Sequence, residues 1–149
     1  MPRIKLQEQP AYEFQHSLTI RVTDLNYGAH LGNDSVVTLI HEARARLMHT
    51  LGFREIDLGD GRTGIIIADL AVNFLQEGFM FDELQIDSHI GEISQRSFRI
   101  FHRMVKEGQP LALAETGIIT FDYTERKVVS IPKGFLAALQ AYQERGQAE

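Results

Sequence analysis

Between a segment of alternating apolar residues and a long amphipathic one stand Asp24, Asn26, Tyr27, Gly28, His30, Leu31, Gly32 and Asn33, polar side chains and glycines gathered where a helix is expected to start. The first N–H groups of a helix have no partner within it and lie at the positive end of its dipole, so they can hold a carbonyl oxygen as it gains charge. Glycines at such a joint let that oxygen come close to the main chain. Asp24 is the nearest carboxylate; it can serve as general base or nucleophile, or brace the turn after a strand. Asn26 cannot be a base, but its amide can donate to a carbonyl or hold water, and Asn is also a common turn former. His30 can bond a bound group or fix the loop through its two ring nitrogens. Asp24, Asn26 and His30 are therefore the catalytic candidates, with Tyr27 and the main chain of Leu31, Gly32 and Asn33 as substrate-binding candidates. Asp34 is a lesser candidate whose expected role is to cap the helix. Asp69, which interrupts the apolar run from Ile65 to Val72, must be paired, solvated or functional, and an interface role is expected of it.

The elements that must position this loop follow from the hydrophobic period. Residues 1–12 read as a polar arm. Phe14, His16, Leu18, Ile20 and Val22 alternate with polar residues, which predicts a half-buried strand. Val36, Ile40, Ala43, Leu47 and Leu51 then recur at helical spacing, predicting a helix over 34–51 with Asn33 or Asp34 as its cap and Gly52 as its stop. The β-branched run 64–74 predicts a strand buried on both faces for part of its length. Three more strands are expected over 84–93, 98–105 and 111–123, and a short closing helix behind Pro132. One strand, a long helix and four strands in a meander make an α+β plan, a single domain over 1–149.

Read through Glu42-Ala43-Arg44, the loop resembles the hotdog-fold thioesterases of the 4-hydroxybenzoyl-CoA thioesterase type. Their pattern reads Asp-x-Asp-x-x-Gly-His-Val-Asn-Asn, eight residues, then Glu-Ala-Arg. Asp24, His30, Asn33, Glu42, Ala43 and Arg44 fall on that pattern without a gap, while Asn26 stands in place of its second aspartate and Ala29 in place of its glycine. Val72 to Gln76 with Phe81-Asp82-Glu83-Leu84 is similar to the family's Tyr-Leu-x-Pro and Gly-Asp-x-Leu, and Phe121-Asp122-Tyr123 with Ile131-Pro132 precedes the last helix as in the family. The resemblance implies an antiparallel sheet of about five strands wrapped around a long central helix. It implies hydrolysis of acyl-CoA or related acyl thioesters, with no cofactor and no metal, at a site shared between subunits of a homodimer or dimer of dimers. Because Asn26 replaces the expected carboxylate, a non-catalytic acyl-thioester binding protein stays open, as does a hotdog dehydratase or hydratase.

Composition bounds the rest. A net charge of −5 without a dense Lys/Arg cluster argues against a nucleic-acid partner. Zero cysteines exclude disulfides and thiol catalysis and suit a reducing, cytoplasmic setting. No apolar run approaches a membrane span, and the first ten residues lack a signal-peptide pattern. His41 and His49 lack an acidic ligand at metal spacing, and no Gly-x-Ser-x-Gly elbow is present. Arg96, Arg99, Arg103 and Lys106 suggest a solvated sheet face or a grip for the phosphates of coenzyme A.

Overall fold

The computed structural model describes residues 3–148 of the chain. Its strands are β1 (Phe14–Thr19), β2 (Thr63–Phe74), β3 (Glu83–Gly91), β4 (Ser97–Lys106), β5 (Gln109–Asp122) and the short β6 (Lys127–Val128); its helices are α1 (Asn33–Leu51) and α2 (Lys133–Ala148). All strands pair antiparallel in the order β1-β3-β4-β5-β2, with β6 added beside β5. The sheet curls around α1, giving the hotdog arrangement.

The expected meander holds only for β3, β4 and β5. Phe14 to Thr19 pairs with Ser88 to Glu83, so β1 takes the place beside β3 and β2 is left the other free edge, along β5. The expected burial on both faces for part of the strand holds at its start, over Thr63, Gly64 and Ile65. Beyond Ile65 the β2 side chains are largely open, with Ile66, Ile67, Leu70 and Phe74 each more than one-third exposed. The predicted first strand ends early as well: after Ile20, residues Val22–Asp24 form a 3₁₀ turn. The long helix starts at Asn33, one residue sooner than predicted, and neither expected residue caps it. Gly32, in extended conformation and with no side chain to cap with, is the N-cap, while the Asn33 Oδ1 accepts the Asp34 N–H at 2.8 Å. At the other end Gly52, at φ 91°, stops the helix as expected.

The stripe of α1 explains the burial. Val36, Leu39, Ile40 and Ala43 pack with Ile20, Leu84, Ile86, Met104 and Ala114, while Leu47 and Met48 pack with Ile90, Phe98, Ile118 and the α2 residues Phe135 and Leu139. Between these two apolar clusters runs a polar belt. Ser88 and His102 are cross-strand neighbours on the face under the helix, Thr116 on β5 stands diagonal to His102, opposite Ile100, and Arg44 of α1 is buried nearby, bonded to Glu55 at 2.7 Å. Glu42 pairs instead with Arg46 one helical turn on.

The outer sheet face is covered by the N-terminal arm, which is better bound than a polar tail would be. The Leu6 N–H donates to the Asn73 Oδ1 and the Asn73 amide donates to the Ile4 carbonyl, at 2.8 and 2.7 Å. Glu8 pairs with Arg103, whose guanidinium lies 4.5 Å above the Tyr12 ring, and Glu13 bonds His89. Arg99 and Arg103 are thus taken up in ion pairs with Asp69 and Glu115, and with Asp87 and Glu8, respectively.

Candidate active site

The loop from Ile20 to Gly32 is shaped by its own backbone. Asn26 N–H donates to the His30 carbonyl, Ala29 N–H to the Asn26 carbonyl, and Gly32 N–H to the Asp24 carbonyl at 3.1 Å. The segment after β2 runs along it: Leu31 N–H donates to the Gly78 carbonyl at 2.7 Å, and His30 bridges to Phe79. Two of the three N–H groups expected to face a carbonyl, those of Leu31 and Gly32, therefore have acceptors inside the protein. The Asn33 N–H has none among the described residues.

Two residues of this region hold left-handed backbone where the resembling family has glycine. Ala29 has φ 62° and Phe81 φ 70°. A Cβ in that region costs about 1–2 kcal/mol, so both turns are held against the side chain's preference.

Asp24 is turned away from solvent and 3% exposed. Its two oxygens take the Arg21 N–H at 2.8 Å, the Arg21 Nε at 3.2 Å and the Arg21 Nη2 at 2.9 Å. The guanidinium holds this carboxyl below its ordinary pKa, against the opposing effect of burial. Asn26 accepts the Gly28 N–H through Oδ1 at 2.9 Å, leaving its amide nitrogen for the cleft. His30 has Nδ1 3.4 Å from the Leu31 carbonyl and Nε2 4.0 Å from Glu77 Oε1. Tyr27 is fully exposed.

A cleft of about 790 Å³ collects these groups. Asn26, Tyr27, His30, Asn33 and Asp34 line one side, Glu77 and Gly78 another, and Leu31, Val36, Phe74, Leu75 and Leu111 supply apolar wall. Asp24 is not on its surface, and Asp69 is elsewhere, on the outer face at the bulge of β2, 3.1 Å from Arg99. Glu77 is the residue that the sequence did not single out. It follows directly on the Phe74-Leu75-Gln76 stretch that carries part of the resemblance, at a place where a charge among apolar neighbours was the available signal. Among the described residues, no group of three or more His, Cys, Asp or Glu is placed to hold a metal ion. No described helix is long and apolar enough to cross a membrane.

The start of α1 thus opens on a mixed polar and apolar cleft, in a sheet wrapped round that helix, as the resemblance to the hotdog thioesterases implies. Residues 20–139 match the model of the thioesterase-like superfamily, and the chain belongs to that family, as a thioester hydrolase of the hotdog fold. No curated protein matches the sequence. Among solved structures, a 1,4-dihydroxy-2-naphthoyl-CoA thioesterase from Synechocystis is 18% identical with a TM-score of 0.77, covering 85% of this chain and 95% of its own. A gentisyl-coenzyme A thioesterase is 20% identical at a TM-score of 0.75, covering 85% and 99%. A Staphylococcus aureus protein solved in complex with CoA is 15% identical at a TM-score of 0.79, covering 88% and 84%. At these identities the likeness is one of fold.

Proposed function

We propose that this protein is a cytoplasmic acyl-CoA thioesterase, working as a homodimer or a dimer of dimers without metal or organic cofactor. The observation that carries the reading is that Asn33, whose N–H has no acceptor among the described residues, lines at the start of α1 a cleft that holds both apolar wall and hydrogen-bonding side chains. The acyl group rests against Val36, Phe74, Leu75 and Leu111. The carbonyl oxygen points at the helix N-terminus, where the Asn33 N–H and the Asn26 amide meet the charge that develops in the tetrahedral intermediate. A thiolate is a good leaving group, with a thiol pKa of about 8.5, so water activation and oxyanion stabilisation suffice. Asp24 holds the loop in shape from beneath. The test is release of free thiol from a panel of short, long and aromatic acyl-CoAs; binding without release would identify a non-catalytic acyl-thioester protein instead.

The dimer reading is supported by β2. It pairs with β5 on one side only, and it shows solvent the large apolar side chains of Ile67, Leu70 and Phe74, the last of which lines the cleft. Soluble proteins cover or charge such edges. Two β2 edges meeting about a two-fold axis would bury these residues and close each cleft with the partner's surface. Sedimentation at micromolar concentration is expected to give a dimer or larger for the native protein and a 16.9 kDa monomer for Leu70→Glu. A native monomer would remove the shared-site reading.

A further inference from the structure

Where the resemblance leads one to expect a carboxylate, position 26 has an amide, and Asp24 is fully engaged by Arg21. Yet the cleft contains a base of another make. His30 and Glu77 face each other across it, with Nε2 and Oε1 separated by 4.0 Å. That gap is too long for a direct hydrogen bond, and it is the separation at which one water molecule can touch both atoms. The ring is set for this task. Its Nδ1 lies 3.4 Å from the Leu31 carbonyl, which can accept only from a protonated nitrogen; in the tautomer that makes this bond, Nε2 is a lone-pair acceptor. Gly28 keeps that nitrogen open, because a Cβ there would lie 3.1 Å from it. His30 and Glu77 come from segments held together by the Leu31–Gly78 hydrogen bond and the His30–Phe79 bridge, so their facing is built into the backbone.

Resting on the thioesterase reading above, we propose that His30 and Glu77 together hold and activate the hydrolytic water, with Glu77 a catalytic residue in the role that Asn26 cannot fill. The water donates one hydrogen to His30 Nε2 and the other to Glu77 Oε1, and its free lone pair attacks the thioester carbonyl carbon. As the new C–O bond forms, the carbonyl π pair moves onto oxygen, where the Asn33 N–H receives it. One water proton passes to Nε2, and the imidazolium is stabilised by the Glu77 carboxylate. The intermediate then collapses, the C–S bond breaks with its electron pair on sulfur, and the imidazolium returns its proton to the thiolate. The carboxylic acid product loses its remaining proton to solvent.

The test compares native protein, Glu77→Gln, His30→Gln and the double variant on the acyl-CoA the native protein turns over fastest, in water and with hydroxylamine added. Hydroxylamine is a strong nucleophile without a positioned base, so it bypasses the held water. For Glu77→Gln, hydrolysis is expected to fall about 30-fold in kcat with KM within about threefold, while the hydroxamate-forming rate stays within about threefold of native. The double variant is expected to be little worse than the slower single one, since the two groups act as a unit. Native turnover with unchanged hydrolysis by Glu77→Gln would overturn this assignment and leave the thioesterase reading standing. Equal losses in water and in hydroxylamine would also overturn it, as they would mark a structural role. Thiol release from no acyl-CoA by the native protein would sink the thioesterase reading, and the proposed water with it.

Discussion

Asp24→Ala is expected to cost about 2–3 kcal/mol of stability and to weaken hydrolysis through the loop, without removing a reacting group. The buried carboxylate accepts three donors from Arg21, and the Asp24 carbonyl accepts the Gly32 N–H, so one residue ties the start of the loop to the start of α1. Most of the loss comes from the orphaned Arg21 N–H and from slackening of the turn, because the Arg21 side chain is two-thirds exposed and water screens its charge. Arg21→Ala should therefore cost less than Asp24→Ala, and the double variant should cost clearly less than the sum of the two. Urea unfolding of the four proteins measures this cycle. The pairing also has a pH signature. With its folded pKa held below 3.8, Asp24 contributes its stability above that value and loses it as pH falls through the lower, folded one. Should Asp24→Asn instead keep full stability while hydrolysis disappears, Asp24 would be a reacting carboxylate and the cleft would have to rearrange to admit it.

The largest pH effect is expected from His102, in the polar belt beneath α1. Its Nδ1 meets the Ser88 hydroxyl at 2.7 Å, and its Nε2 has no partner among the described residues. Burial pushes this imidazole down to about 3, with the Arg44 guanidinium adding to the shift. An unfolded histidine charges near pH 6.5, so in the interval below that value the unfolded chain binds a proton that the native protein refuses. His102 therefore makes no demand on stability above about pH 6.5, and stability declines as pH falls from there towards the folded pKa. The slope from this one group approaches about 1.4 kcal/mol per pH unit, or roughly 2 kcal/mol between pH 6 and 4.5. That window lies above the range where the depressed carboxyls of Glu13, Asp24, Asp60, Asp82 and Asp122 protonate. Chemical denaturation across it should show the decline in the native protein and a flatter profile in His102→Leu combined with Ser88→Ala, which also avoids stranding the hydroxyl. An identical decline in both proteins would mean that His102 is not its source.

The primary sequence determined the elements with a strong period and the joint between them. The three- and four-residue recurrence from Val36 to Leu51 could only be a helix with one broad apolar face, and the alternation in β1 and the β-branched run of β2 marked strands, because side-chain direction repeats within a single element. The loop from Asp24 to Asn33 stood out for the same local reason: polar and glycine residues at a strand-to-helix junction.

Tertiary structure decided whatever depends on partners distant in sequence. Whether β2 lies beside β3 or beside β5 is settled by β1 occupying the first position, so a run that looks suited to burial becomes an exposed edge. Asp24 and Asp69 present the same carboxylate, but each takes its place from its arginine, Arg21 within the same turn and Arg99 across the sheet. Ser88, His102 and Thr116 share a belt because three strands pair in register, and that register is a property of the whole sheet. Glu77 reaches the cleft because the chain after β2 crosses the end of the sheet and bonds to the loop before α1. Hydrophobic period is written along the chain, whereas the environment of a charge is created only when segments meet, since burial and hydrogen-bond partners decide what that charge can do.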